Sequence, residues 1–254
     1  MRPNPLRELH AAGRPALTGW LSIDSGYSAE LIGSCGYDAV VVDLQHAPIY
    51  LDKAVSMLQA LSATGAVPMA RCAANQLFEI NKLLDGGAYG IVCPLINTPE
   101  EAGRFVAACR YPPSGLRSYG PTRGLLYGGA DYFEAADSTI VTLAMIETRQ
   151  ALSNLDAICA VPGLDGVLVG PGDLGIALGL GPSADWRSDP MAGALAGIRS
   201  AARRAGKMAG IVCMPVPFAQ DMKHQGWDIV VVGSDSTFLR QGATAALSAV
   251  RAAG

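Results

Sequence analysis

Lysine is scarce in this 254-residue sequence: only Lys53, Lys82, Lys207 and Lys223 occur. None falls at the end of an apolar run, which argues against a Schiff-base lysine at the mouth of an α/β fold. Charged residues make up 16 % and the net charge is −3, which leaves no basic footprint for nucleic acid or an anionic membrane. No apolar run reaches the roughly 18 residues of a spanning helix. The first residues have no apolar core of the signal-peptide kind, so a cytoplasmic location is expected. Six cysteines occur without a CxxC pair or zinc-like spacing, and all six are expected as reduced core thiols. Walker and GxSxG motifs are absent, and the first βα connection carries no GxGxxG, which weakens the dinucleotide-binding and serine-hydrolase readings.

What is present is an alternation of short apolar runs with amphipathic stretches. Strands are expected at 17–23, 39–44, 67–71, 90–94, 141–147, 166–171, 208–212 and 229–233. Helical spacing covers 52–61, 75–84, 98–109, 148–159, 191–204 and 237–252. Asp52 is expected to cap the first of these, and Thr98-Pro99-Glu100-Glu101 is a helix start with proline at the first position. Eight strands each followed by helix-compatible sequence predict a single (β/α)8 TIM barrel domain over 1–254, with a doubly wound sheet as the alternative. The connection of roughly thirty residues from Arg110 to Val141 reads as a long ordered loop, because unstructured connections of that length are uncommon in compact domains. Its Arg117 and Arg123 suit an anionic substrate, a neighbouring subunit or a plain surface role.

In parallel α/β folds the C-terminal strand ends form the mouth of the site. Read there, the second run delivers Asp43, Gln45 and His46, the third Arg71, the fifth Glu147, the sixth Asp173 and the eighth Ser234 and Asp235. Asp43, three residues before His46, is expected to orient its imidazole. Arg71 suits a carboxylate or a developing oxyanion, although a structural ion pair is the plainer reading. Glu147 and Asp173 each have a bland reading as helix caps; together they suit a hard divalent cation with open positions. The chemistry this selects is metal-assisted acid–base work on a small oxygen-rich anion.

Five segments occur in a familiar order and spacing: 37–48 (YDAVVVDLQHAP), 81–88 (NKLLDGGA), 111–117 (YPPSGLR), 146–148 (IET) and 170–174 (GPGDL). Together they resemble the HpcH/HpaI aldolase family, the class II pyruvate aldolases of 4-hydroxy-2-oxoheptanedioate aldolase type. The resemblance implies a barrel whose last helix packs on a neighbouring subunit of a homo-oligomer, a trimer or hexamer. It implies that Glu147 and Asp173 bind Mg²⁺, Mn²⁺ or Co²⁺. His46 with Asp43 would be the acid–base pair, acting through a metal-bound water, and Arg71 would stabilise the pyruvate enolate. Gly172, Asp173, Gln45 and Met145 would contact substrate, and Asp85 would reach a neighbouring site. The implied reaction is reversible cleavage of a 4-hydroxy-2-oxo acid to pyruvate, or a close 2-oxo acid, and an aldehyde. Gln45 stands where many relatives carry Glu, and Met145 where several carry Gln. The competing readings are a CoA-ester lyase of the citrate lyase β-subunit type, which needs a basic surface, and a barrel that binds metal and 2-oxo acid without turnover.

Overall fold

The computed structural model describes residues 1–252. Eight parallel strands close a barrel in chain order. They are β1 (Ala16–Leu21), β2 (Ala39–Asp43), β3 (Val67–Arg71), β4 (Gly90–Cys93), β5 (Val141–Ile146), β6 (Gly166–Val169), β7 (Met208–Cys213) and β8 (Ile229–Val232). Each strand lies within two residues of its expected position. The expected barrel is therefore the observed one, and β8 pairs with β1 to complete it. β2, β3, β5 and β6 are buried along their whole length, which their predominance of Val, Ile, Leu, Met and Ala permits.

The helices before β5 are α1 (Pro5–Ala11), α2 (Gly26–Gly33), α3 (Leu51–Leu61), α4 (Leu77–Asp85), α5 (Pro99–Cys109), α6 (Thr122–Gly128) and α7 (Tyr132–Thr139). After β5 come α8 (Arg149–Ser153), α9 (Leu155–Cys159), α10 (Pro171–Ala177), α11 (Met191–Arg204), α12 (Val216–His224) and α13 (Asp235–Ala252). α4 turns Ile80, Leu83 and Leu84 inward at helical spacing. α5 begins as expected, with Thr98 Oγ1 accepting from the Glu101 N–H and Pro99 in the first turn.

Four expectations are corrected. Asp52 does not cap α3: Tyr50 is the N-cap residue, and Asp52 lies in the first turn, where its charge still favours the helix dipole. The stretch 148–159 is two helices, α8 and α9, parted at Asn154, whose side chain donates to the Asn97 carbonyl. The connection before β5 carries α6 and α7, ordered by Arg117. That fully buried guanidinium donates to Asp85 Oδ1 at 2.9 Å and the Tyr132 hydroxyl at 3.1 Å. Finally, five cysteines are buried but Cys35 is exposed.

The base of the barrel is pinned by a repeated device. Asp38, Asp165 and Asp228 stand just before β2, β6 and β8, and each accepts a backbone N–H from the preceding strand. The donors are Leu17 at 2.8 Å, Thr142 at 2.8 Å and Ala209 at 2.9 Å. Asp165 also pairs with Arg7 and Arg110, both at 2.9 Å. Charge at this end serves register and leaves the opposite end free for chemistry. Among the described residues no helix is long and apolar enough to cross a membrane.

Candidate active site

Parallel pairing of β2 with β3 sets Asp43 directly opposite Arg71 at the C-terminal mouth. The two side chains meet as a fork: Arg71 Nε donates to Asp43 Oδ1 at 2.8 Å and Nη2 to Oδ2 at 2.6 Å. The indole N–H of Trp20, from β1, donates to Asp43 Oδ2 at 3.3 Å, and the Arg71 guanidinium lies 4.9 Å from that ring's centroid. Asp43 Oδ1 also accepts the backbone N–H groups of Gln45 and His46 at 3.0 and 3.3 Å. Burial opposes ionisation of Asp43. The hydrogen bonds and charge of Arg71, with Trp20 and the Gln45 amide, outweigh it and hold the carboxyl below its usual range.

This geometry corrects one expectation. Asp43 anchors Arg71 and folds the turn that carries His46, but it does not hold the His46 ring. Among the described residues that imidazole has no hydrogen-bond partner, and it lies exposed at the cavity edge.

Across the mouth, Glu147 follows β5 directly. Its Oε1 accepts the Leu95 N–H at 2.8 Å. Leu95 is the one non-glycine residue among those described with positive φ, at 54°, a conformation that costs about 1–2 kcal/mol. That strain aims its amide at Glu147. Burial pushes the Glu147 carboxyl up, and the nearby charge of Asp173, from the first turn of α10, pushes it further; the Leu95 amide and Arg71 oppose this. Glu147 Oε2 makes no hydrogen bond and lies against Gly170, where a β-carbon would collide with it. Two neighbouring carboxylates, one with a free oxygen, have the donor chemistry of an open site for a hard divalent cation. Among the described residues no cluster of three or more His, Cys, Asp or Glu side chains completes such a site, so further positions would fall to substrate and water.

A cavity of about 480 Å³ opens onto His46, Arg71 and Asp173, and Glu147 lies behind Gly170 of its lining. Its polar floor includes Trp20, His46, Arg71, Gly172 and Asp173, with Met145 below them; Met145 Sδ is 3.8 Å from Arg71 Nη1. Its far wall is apolar, formed by Trp186, Val212, Met214 and Phe218. Gln45 does not join this cavity. It lines a separate groove with Tyr50, Phe78 and Glu79 on the outer side of the β2–α3 turn. Asp85 also lies elsewhere, at the C-terminal end of α4 and so toward the barrel base, paired with Arg117 at 2.9 Å. Ser234 and Asp235 are used structurally: Asp235 accepts from Ser22, Ile23 and Ser28 and ties β8 to β1. Trp20, Trp186 and Phe218 are missing from the sequence reading. The available signal for Trp20 was its position near the end of β1, which its apolar character hides.

The family model described as HpcH/HpaI aldolase/citrate lyase matches residues 17–242. A hydroxypyruvate/pyruvate aldolase of Rhizorhabdus wittichii is 43 % identical over 249 residues, covering 98 % of this chain and 99 % of its own. A 4-hydroxy-2-oxo-heptane-1,7-dioate aldolase of Salmonella paratyphi C is 35 % identical over 245 residues, 95 % of this chain and 92 % of its own. In structure, an HpcH/HpaI aldolase/citrate lyase family protein from Burkholderia cenocepacia superposes with a TM-score of 0.91 at 29 % identity, covering 98 % and 99 % of the two chains. With the barrel, the mouth residues and these likenesses in agreement over nearly its whole length, the chain belongs to the HpcH/HpaI aldolase/citrate lyase family.

Proposed function

We propose that the protein is a divalent-metal-dependent aldolase that reversibly cleaves 4-hydroxy-2-oxo acids to pyruvate, or a close 2-oxo acid, and an aldehyde. The observation that carries this reading is the convergence of an anchored guanidinium, a free imidazole and two neighbouring carboxylates at one mouth. The names of the two aldolase relatives support the reaction class.

Cleavage breaks the bond between C3 and C4. The 4-hydroxyl proton leaves, C4 becomes the aldehyde carbonyl, and the electron pair passes to the 2-oxo oxygen as an enolate. His46, unpartnered at the cavity edge, is positioned to take the hydroxyl proton and to return one in the reverse direction. Arg71 is held by Asp43 and Trp20 before substrate arrives. Its remaining N–H groups therefore face the developing oxyanion without reorganising. The backbone at Gly172 and Asp173, where α10 begins, suits the substrate carboxylate. A Mg²⁺, Mn²⁺ or Co²⁺ ion held by Glu147 and Asp173 would supply Lewis acidity toward the 2-oxo acid. Asp173 charge beside a buried Glu147 favours such a cation because it relieves the repulsion between them.

α13 supports assembly of copies. Its Leu239, Leu247 and Val250 are exposed and fall on one side of the helix, as expected of a face that packs on a neighbouring subunit of a homo-oligomer.

The test is solvent deuterium exchange into the pyruvate methyl group, followed by NMR with Mn²⁺ or Mg²⁺ and then with EDTA. Metal-dependent exchange is expected, with large losses in Glu147→Ala and His46→Ala. A folded protein that catalyses no exchange with any divalent ion overturns the reading and favours the CoA-ester or non-catalytic alternatives.

A further inference from the structure

The ionisable groups that line the cavity, His46, Arg71 and Asp173, belong to its floor; the rest of the lining is apolar apart from the Ser183 hydroxyl. A three-carbon 2-oxo acid bound there leaves most of about 480 Å³ unfilled, in the size range of sites that take a whole drug-sized ligand. The remaining space is bounded by the apolar wall, so its chemistry is set by that wall.

The wall is a locked assembly. Trp186 stacks on Phe218 with centroids 4.4 Å apart and an interplanar angle of 23°. Its indole N–H donates to Asp221 Oδ2 at 3.0 Å. Asp221 also pairs with Arg187 at 2.7 Å, and the Arg187 guanidinium lies 4.9 Å from the Trp186 ring centroid. The cation next to Trp186 is paired with Asp221, is 60 % exposed and does not line the cavity. Of the described lining residues only Arg71 is a fixed cation, and two of its nitrogens are held by Asp43. A second carboxylate on the substrate would therefore lose its water against Trp186, Phe218, Val212 and Met214 with no charge to meet it. An apolar substituent of the same shape gains from burial on that wall.

From this wall, and resting on the aldolase reading, we propose that the aldehyde partner is apolar, an aliphatic or arylalkyl aldehyde, and that Trp186 sets this preference with Asp221 as its positioning residue. In the synthetic direction one proton leaves pyruvate C3 to a base. The new bond joins C3 to the aldehyde carbon, and the aldehyde oxygen takes up a proton, so no oxidant or reductant enters.

The experiment compares 4-methylpentanal and phenylacetaldehyde with succinic semialdehyde as acceptors for pyruvate, in wild type with saturating Mn²⁺. Succinic semialdehyde and 4-methylpentanal have similar shape and differ by the carboxylate. A kcat/KM about tenfold or more higher for 4-methylpentanal is expected. Equal or better use of succinic semialdehyde, with pyruvate methyl exchange intact, overturns this proposal alone; absence of exchange overturns the aldolase reading and this proposal with it. In Trp186→Ala the preference for 4-methylpentanal over acetaldehyde should fall about tenfold, chiefly through KM. An unchanged preference in that variant, or in a folded Trp186→Leu if the first is unstable, removes Trp186 from the proposal.

Discussion

Arg71 grips both oxygens of Asp43, Nε on Oδ1 at 2.8 Å and Nη2 on Oδ2 at 2.6 Å, so the cation at the mouth is fixed by a neighbouring strand. Lysine cannot reproduce the fork, because its ammonium is a single point charge on a flexible stem. Arg71→Lys should fold and should slow pyruvate methyl exchange by about 10²- to 10³-fold, the usual loss for an oxyanion donor. NMR exchange rates per folded molecule check this; a loss under about threefold would remove Arg71 from the oxyanion role.

Asp43→Asn leaves the buried guanidinium without its counter-charge and should cost about 3–5 kcal/mol at pH 7. The pH dependence has a defined sign. Because the folded Asp43 carboxyl titrates below its usual value, its contribution is complete above the unfolded pKa of about 4 and lost as pH falls through the folded value. Urea unfolding at pH 7 and again near pH 3 should show the gap between wild type and variant closing on acidification. A gap that stays constant contradicts the assignment.

Gly170→Ala places a β-carbon against Glu147 Oε2 and Met145. The backbone there is extended and tolerates alanine, so displacement of the carboxylate is the expected effect. Mn²⁺ affinity, read by EPR titration of free Mn²⁺, should weaken about ten- to a hundredfold. Equal affinity in the two proteins would place the ion away from Glu147.

At the opposite end, Asp165→Asn removes the partner of both Arg7 and Arg110 and should cost about 3 kcal/mol. Thermal unfolding should fall clearly, while pyruvate exchange per folded molecule stays within about twofold. A selective loss of exchange would mean that the base communicates with the mouth.

Replacing Leu239 and Leu247 of α13 by Glu puts charge on the exposed apolar face. Sedimentation velocity should then show a smaller species than wild type. An unchanged distribution assigns that face to no subunit contact.

The barrel was legible because its strands are buried along most of their length and its apolar runs are bounded by Gly, Pro and polar residues. β3 at Val67–Arg71 and α11 at Met191–Arg204 coincide with the expected ranges. Arg71 and Glu147 were legible for a related reason: a charged side chain at the end of an apolar strand has few places to go except the mouth, and Asp173 follows in the first turn after β6. The partner of Asp43 was not. Nearness in sequence favours His46, three residues away, whereas strand register presents Arg71 across β3. Helix α6 was hidden because Gly120, Pro121, Gly124, Gly128 and Gly129 interrupt any periodic pattern, and α7 because it is only eight residues long and is held by the contact of Tyr132 with Arg117. Trp186 lies in a stretch rich in Gly, Pro, Ser and Asp, with nothing local to tie it to Phe218 on α12.

The pairing of β8 with β1 has a consequence for synthesis of the chain. Ala16 meets Ile229 and Thr18 meets Val231, so the first strand made waits for the last. Until β8 emerges, β1 and β7 each present an open, apolar edge of the kind that recruits other strands. Such long-range closure folds slowly and cannot begin to be rewarded in fragments. A nascent chain stalled before β8 is therefore the form of this protein most exposed to aggregation and most in need of a chaperone.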